Sequence, residues 1–203
     1  MIFFIVVNLS PKLSNLSLLI LDNYDSFTYN LLHYLEQYID EIEVHRNDQI
    51  ALSDIEKFDA IVLSPGPGLP KEAGIMMEVL ERYADNKPIF GVCLGLQAIV
   101  EHFGGSLRNL EQVKHGITSS CWATSDSILF DGISSPFEIG HYHSWVAHEE
   151  LPEQLEATAL NEDKLLMALR HRILPIEAVQ FHPESVMTPM GMKMIENWCK
   201  SLR

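Results

Sequence analysis

Ile89-Phe90-Gly91-Val92-Cys93-Leu94-Gly95-Leu96-Gln97 is an apolar run that ends on a Gly-x-Cys-x-Gly turn and opens into a helical pattern. It reads as a buried strand feeding a helix through a sharp corner. A corner that tight needs small residues two positions to either side of its apex, and Gly91 and Gly95 supply them. The same rhythm extends outward. Residues 18–21, 42–45, 60–63 and 87–92 read as strands, and residues 26–38, 75–83 and 94–103 as helices. Phe27, Leu31, Leu35 and Tyr38 fall on one face of the first of these helices. Alternation of strand and helix implies an α/β fold: a mostly parallel central sheet with helices on both faces. Residues 106–180 carry shorter apolar runs between turn residues, which read as a small antiparallel extension. Residues 192–202 close the pattern as a helix, and no repeat, low-complexity tract or linker interrupts it.

The corner also presents a thiol where chemistry is favoured. It is the cysteine counterpart of the Gly-x-Ser-x-Gly nucleophile elbow, and a helix N-terminus favours negative charge. A nucleophile needs a base, and Ala178-Val179-Gln180-Phe181-His182-Pro183-Glu184-Ser185 offers one. Val179 and Phe181 alternate with Gln180 and His182, as in a strand, and Pro183 pushes His182 toward an extended conformation. His182 and Glu184 then project to the same face. A carboxylate orienting an imidazole that faces a thiol is the arrangement of nucleophile, base and orienter. A third element, Leu63-Ser64-Pro65-Gly66-Pro67-Gly68-Leu69-Pro70, follows the strand 60–63. Its prolines stiffen a loop whose glycines leave backbone N–H groups bare, as an oxyanion site requires. The donors would be the N–H groups of Gly66 and of Leu94, the residue after the nucleophile. Singly, a corner cysteine is usually core and a His-Pro-Glu or Pro/Gly run is usually a loop. Together the three fit one mechanism.

These motifs resemble those of the class I glutamine amidotransferases, a flavodoxin-like family. Within it they resemble the subgroup formed by anthranilate synthase component II and its relative in para-aminobenzoate synthesis. The similarity covers about residues 17–202. It includes Asp22-Asn23-Tyr24-Asp25-Ser26-Phe27-Thr28-Tyr29-Asn30, the loop after Leu63, the Cys93 segment, His115-Gly116 with Thr118-Ser119, Tyr142-His143-Ser144, and the His182 segment. The resemblance implies that Cys93 attacks the glutamine side-chain amide, His182 moves the proton and Glu184 orients His182. It implies an oxyanion hole at Gly66 and Leu94, and glutamine contacts from Gly66, Pro67, Gly68, Gln97, Ser144 and Trp145. The expected products are glutamate and ammonia, the latter passed to a chorismate-binding subunit that forms anthranilate, with no cofactor in this chain. Delivery for aminodeoxychorismate, or for both products, is the alternative. A lesser alternative is a catalytically silent, regulatory subunit. Leu96, Ile117, His141 and Trp145 depart from the residues more usual in the family.

Composition narrows the remaining classes. The chain has 203 residues, 47% apolar and 21% charged, which suits one domain with a sizeable core. A net charge of −14 disfavours nucleic acid. Cys93, Cys121 and Cys199 are too widely spaced for a disulfide framework or zinc site, and a reducing cytoplasm is expected. His141-x-His143 places two imidazoles on one strand face, but no third ligand is evident and no metal is expected. Tyr24, Phe27 and Tyr29 read as core aromatics rather than as a stacking platform. Residues 1–16 read as an extension, non-native or a short extra strand, ahead of an amidotransferase domain at 17–203. Their apolar run 1–7 is too short to cross a bilayer and lacks the features of a signal peptide, so no membrane is expected.

Overall fold

The computed structural model describes residues 12–203, and residues 1–11, with the expectation for their apolar run, lie outside it. The elements run β1 (Leu13–Asp22), α1 (Thr28–Leu35), β2 (Ile39–Arg46), β3 (Ala60–Leu63), α2 (Met76–Tyr83), β4 (Ile89–Val92), α3 (Leu94–His102), β5 (Leu107–Ala123), β6 (Phe137–Ala147), β7 (Leu155–Asn161), β8 (Leu166–His171), β9 (Ile176–Val179) and α4 (Gly191–Ser201). Among the described residues the strands form one sheet in the order β2-β1-β3-β4-β9-β8-β7-β5-β6. The pairings β1–β2, β1–β3, β3–β4 and β4–β9 are parallel, and those from β8 onward are antiparallel.

Strand periodicity divides the interior in two. Leu18 and Ile20 of β1, Ala60 and Val62 of β3, and Phe90 and Val92 of β4 pack with α1 and α4 through Leu31, Leu35, Met194 and Trp198. Their alternates Leu19, Leu21, Ile61, Leu63 and Ile89 pack with α2 and α3 through Val79, Leu80, Leu96 and Ile99. Both faces of β3, β4 and the second half of β1 are therefore buried, which is why these stretches are continuously apolar, while the edge strand β2 alternates. Phe90 stacks on Trp198 of α4, ring centroids 5.3 Å apart.

Three boundaries differ from the sequence reading. β1 starts at Leu13, ahead of the apolar run, because Leu13 N–H donates to Tyr38 O at 2.8 Å and the strand pairs along β2. Residues 13–16 thus belong to the sheet. α1 stops at Leu35, since residues 36–38 leave it in a turn that delivers β2. The antiparallel portion is large, with β8, β7, β5 and β6 all in it and β5 alone 17 residues long. In the parallel half, the order β2-β1-β3-β4 places the reversal of direction between β1 and β3. Open α/β sheets bind ligands at the carboxyl ends of strands beside such a reversal, and the segments after β1, β3, β4 and β9 all emerge there.

Candidate active site

Cys93 stands at the apex between β4 and α3. Its N–H donates to Val179 O at 2.8 Å, so the backbone leaves the sheet only at this residue. The conformation, φ 53° and ψ −99°, is costly for a residue with a side chain and persists only where its surroundings enforce it. The flanking glycines are enforced by contact. A Cβ on Gly95 would lie 2.5 Å from Leu63 O, and one on Gly91 2.7 Å from Ile99 Cδ1. Helix and strand approach so closely here that nothing larger fits, and the thiol is left at the helix N-terminus.

His182 reaches the same place by a route other than the one its sequence suggested. β9 ends at Val179, and His182 lies in the turn segment beyond it. Its position is set by backbone anchoring instead. His182 N–H donates to Gly140 O at 3.2 Å, and the Thr188 hydroxyl donates to His182 O at 2.7 Å while accepting from Gly140 N–H at 3.0 Å. Gly191 packs directly on the Pro183 carbonyl, closing the turn. Glu184 is brought back by that turn, and His182 Nδ1–H donates to its Oε1 at 2.7 Å. Both side chains are buried, and His182 Nε2 has no hydrogen-bond partner. Burial alone would lower the imidazole pKa. Cys93 and Glu184 outweigh it, and the pKa stands well above the ordinary histidine value. Phe27 and Tyr142 flank the ring, with centroids 5.5 and 5.0 Å from it, and shield the pair from water.

The loop after β3 completes one wall. The Asn23 side chain donates to Ser64 O at 2.9 Å, and Asn23 N–H donates to the Ser64 hydroxyl at 2.8 Å. Gly66 sits against Asn23 and the Leu94 side chain, where a Cβ would meet atoms at 2.6 and 2.9 Å. The structure therefore brings Gly66 and Leu94 together, with Pro67 and Gly68 exposed at the rim and Gly68 at φ 77°. Gln97 joins Trp145 to the Cys93 side of the site through Gln180, and Ser144 precedes Trp145 on β6. Gln97 is buried, and its amide nitrogen donates inward, to Trp145 O at 2.9 Å and Gln180 Oε1 at 3.2 Å. Gln180 in turn donates to Cys93 Sγ at 3.5 Å.

The sequence of residues 19–202 matches the family described as glutamine amidotransferase class-I. The chain belongs to the class-I glutamine amidotransferases. It is 44% identical over 189 residues to the aminodeoxychorismate/anthranilate synthase component 2 of Bacillus subtilis (strain 168), covering 92% of this chain and 97% of that one. It is 44% identical over 191 residues to the anthranilate synthase component 2 of Pseudomonas aeruginosa, covering 90% and 94%. With the aminodeoxychorismate synthase component 2 of Escherichia coli (strain K12) it shares 41% over 184 residues, covering 89% and 98%. Among solved structures, a putative GMP synthase subunit from Thermoplasma acidophilum superposes with a TM-score of 0.82 at 27% identity, covering 92% of this chain and 94% of that one.

Several features of this amidotransferase escaped the sequence. Gln180 was legible in principle, since it lies two residues before His182 in an alternating segment. Tyr24 and Tyr29 were expected in the core but are exposed: Tyr24 sits on the segment leaving β1, and Tyr29, in the first turn of α1, lies off the face that buries Leu31 and Leu35. Phe27 is half-buried against the histidine, not in the core. Burial pushes the Cys121 and Cys199 thiols up to about 12, which keeps them protonated at neutral pH. All three cysteines are free. His141 and His143 bond to one another at 3.0 Å, and among the described residues no three histidine, cysteine or acidic side chains form a metal-binding group. No described helix is long and apolar enough to cross a membrane.

Proposed function

We propose that this chain is the glutaminase subunit of an anthranilate synthase, with Cys93 as nucleophile, His182 as base and Glu184 as orienter. The observation that carries the reading is the buried His182–Glu184 pair, joined at 2.7 Å beside a thiol on a strained elbow. Cys93 Sγ attacks the side-chain amide carbon of glutamine while its proton passes to His182 Nε2. The raised basicity of His182 suits that transfer. The amide oxygen takes negative charge facing the N–H groups of Gly66 and Leu94. The C–N bond then breaks, and ammonia leaves with the proton from His182. Water, deprotonated by His182, cleaves the remaining thioester and releases glutamate. Gly66, Pro67, Gly68, Gln97, Ser144 and Trp145 form the glutamine pocket. Gln97 contributes as its organiser, since its amide nitrogen is committed within the protein.

The ammonia goes to a chorismate-binding subunit in the cytoplasm. The names of the relatives support such a partner, and so do exposed apolar side chains close to the site residues in chain or in strand pairing: Tyr29 near Phe27, Ile117 paired with His141, and Val186 near Glu184, exposed by 92%. Aminodeoxychorismate formation is the second reading, favoured by the double name of the Bacillus relative. Labelling with a glutamine-mimicking chloroketone tests the chemistry, with the adduct expected on Cys93 and an adduct on Cys121 or Cys199 refuting it. Assay of the reconstituted complex for each aminated product separates the two pathways.

A further inference from the structure

Ser119, His141 and His143 form a hydrogen-bonded row inside the β5–β6 ribbon. Ser119 Oγ lies 2.6 Å from His141 Nε2, His141 Nδ1 lies 3.0 Å from His143 Nε2, and His143 Nδ1 lies 3.2 Å from Trp145 O. Burial, with the charge of Lys114 next, lowers the His141 pKa to about 4, and burial with His141 lowers that of His143 to about 3. Each ring at neutral pH therefore has one N–H and one lone pair. A carbonyl only accepts, so His143 carries its proton on Nδ1 and accepts at Nε2. His141 must then donate from Nδ1, and its Nε2 accepts from the Ser119 hydroxyl. The row has one direction throughout, and it ends on a carbonyl that also accepts from Gln97. Gln97 continues it to Gln180, and Gln180 to the Cys93 sulfur.

We propose that Ser119 and His141 are positioning residues for the glutamine reaction, acting through His143 to fix the Trp145 carbonyl and with it the Gln97–Gln180 pair beside Cys93. The proposal rests on Cys93 being the nucleophile. The His182–Glu184 pair is anchored separately, by Gly140 O and Thr188. Loosening the row should therefore disturb where glutamine is held more than how its proton is moved.

The test uses the full chain with its synthase partner and the variants Ser119→Ala, Ser119→Thr and His141→Phe. Glutamine KM and kcat are measured, together with alkylation of Cys93 by a glutamine-mimicking chloroketone and by iodoacetamide, which needs no glutamine pocket. Ser119→Ala should raise KM about five- to tenfold, the scale of one net hydrogen bond, with kcat within about twofold of wild type. Chloroketone alkylation should slow by a similar factor, while iodoacetamide alkylation stays near wild type. His141→Phe should do the same or more, and Ser119→Thr, which keeps the hydroxyl, should restore both values. Wild-type KM and alkylation in Ser119→Ala would overturn the proposal. So would Ser119→Thr as impaired as Ser119→Ala, or an equal slowing with both reagents, since each points to packing alone. A wild-type chain that the chloroketone leaves unlabelled at Cys93 removes the nucleophile itself, a failure distinguishable before any variant is compared.

Discussion

His182 and Glu177 are both buried and titratable, and their partners drive them to different tasks. His182 is paired with the Glu184 carboxylate beside the Cys93 thiol, so in the proposed mechanism replacing it removes the base. His182→Ala should lower glutamine turnover about 10²- to 10⁴-fold, and Glu184→Gln should cost less, because it leaves the imidazole in place. Stopped assays of both variants in the complex check this, and equal rates in wild type and His182→Ala would falsify the triad. Glu177 has no such partner. It accepts from the Ser127 hydroxyl at 3.0 Å, and Arg170, its neighbour across β8, is bonded instead to Glu156. Burial pushes Glu177 up to about 7. A carboxyl whose pKa is raised on folding stabilises the fold fully below its unfolded value near 4.5. That contribution fades as pH rises and is gone above about 7. The loss amounts to roughly 3 kcal/mol. Glu177→Gln keeps a partner for Ser127 without the ionisation, so it should raise stability at pH 8 by about 1–3 kcal/mol and change little at pH 4.5. Urea melts at the two pH values decide; equal effects at both would show that ionisation is not the cause.

The elements show why some of this could be read from sequence and some could not. β3 was legible to the residue, because its four apolar positions are bounded by a charged side chain and a proline-glycine loop. The Cys93 elbow was legible because its two glycines are dictated by contacts under 3 Å with Leu63 and Ile99. Gly95→Ala should therefore cost about 3 kcal/mol or more, at or above the usual range for overpacking, and slow Cys93 labelling. An alanine variant that unfolds and labels like wild type would show the corner is looser than it looks. The start of β1 was hidden, because Leu13-Ser14-Asn15-Leu16 breaks the two-residue alternation of a strand and joins the sheet only by pairing with β2, across a register shift. Leu13 and Leu16 pack on the core from there. A chain beginning at Ser17 should melt several degrees below one beginning at Lys12, given about 1–2 kcal/mol for two half-buried leucines. The His182–Glu184 pair was right in outcome and wrong in route. Two side chains brought together by a turn, pinned by Thr188, give the same juxtaposition that a strand would. Of the Ser119–His141–His143 row, the two histidines could be read as neighbours on one strand face, but the place of Ser119 could not, since it depends on the register of β5 against β6 across a long, bulged ribbon.

On the scale of the whole molecule, the parts of the proposed catalytic site come from four separate stretches of chain and meet at one end of the sheet. Cys93 follows β4, His182 follows β9, the Gly66 loop follows β3, and Phe27 follows β1. Tyr29 and Val186, two residues from Phe27 and Glu184 respectively, and Ile117, paired with His141, are exposed apolar side chains, while the protein's net charge is −14 at pH 7. Exposed apolar side chains on a strongly acidic body suit a partner that covers them. Covering it also serves the chemistry. Ammonia released into water takes a proton and ceases to be a nucleophile, so hydrolysis without an enclosing partner wastes glutamine. The chain alone should therefore hydrolyse glutamine slowly, and a chorismate-binding subunit should accelerate it. Cys93→Ser separates delivery from amination. The variant loses the sulfur nucleophile but keeps the elbow and the fold, so the complex should still assemble. Glutamine-dependent formation of the aminated product should fall to background, while the reaction with added ammonium at alkaline pH should match wild type, because free ammonia then reaches the partner without this subunit. Parallel assays of the same preparation with each nitrogen source are required. Loss of both reactions would place Cys93 in assembly rather than catalysis. Retention of glutamine use would mean that another group makes the covalent bond, and since Cys121 and Cys199 are buried thiols with pKa values pushed to about 12, no other cysteine among the described residues could do so.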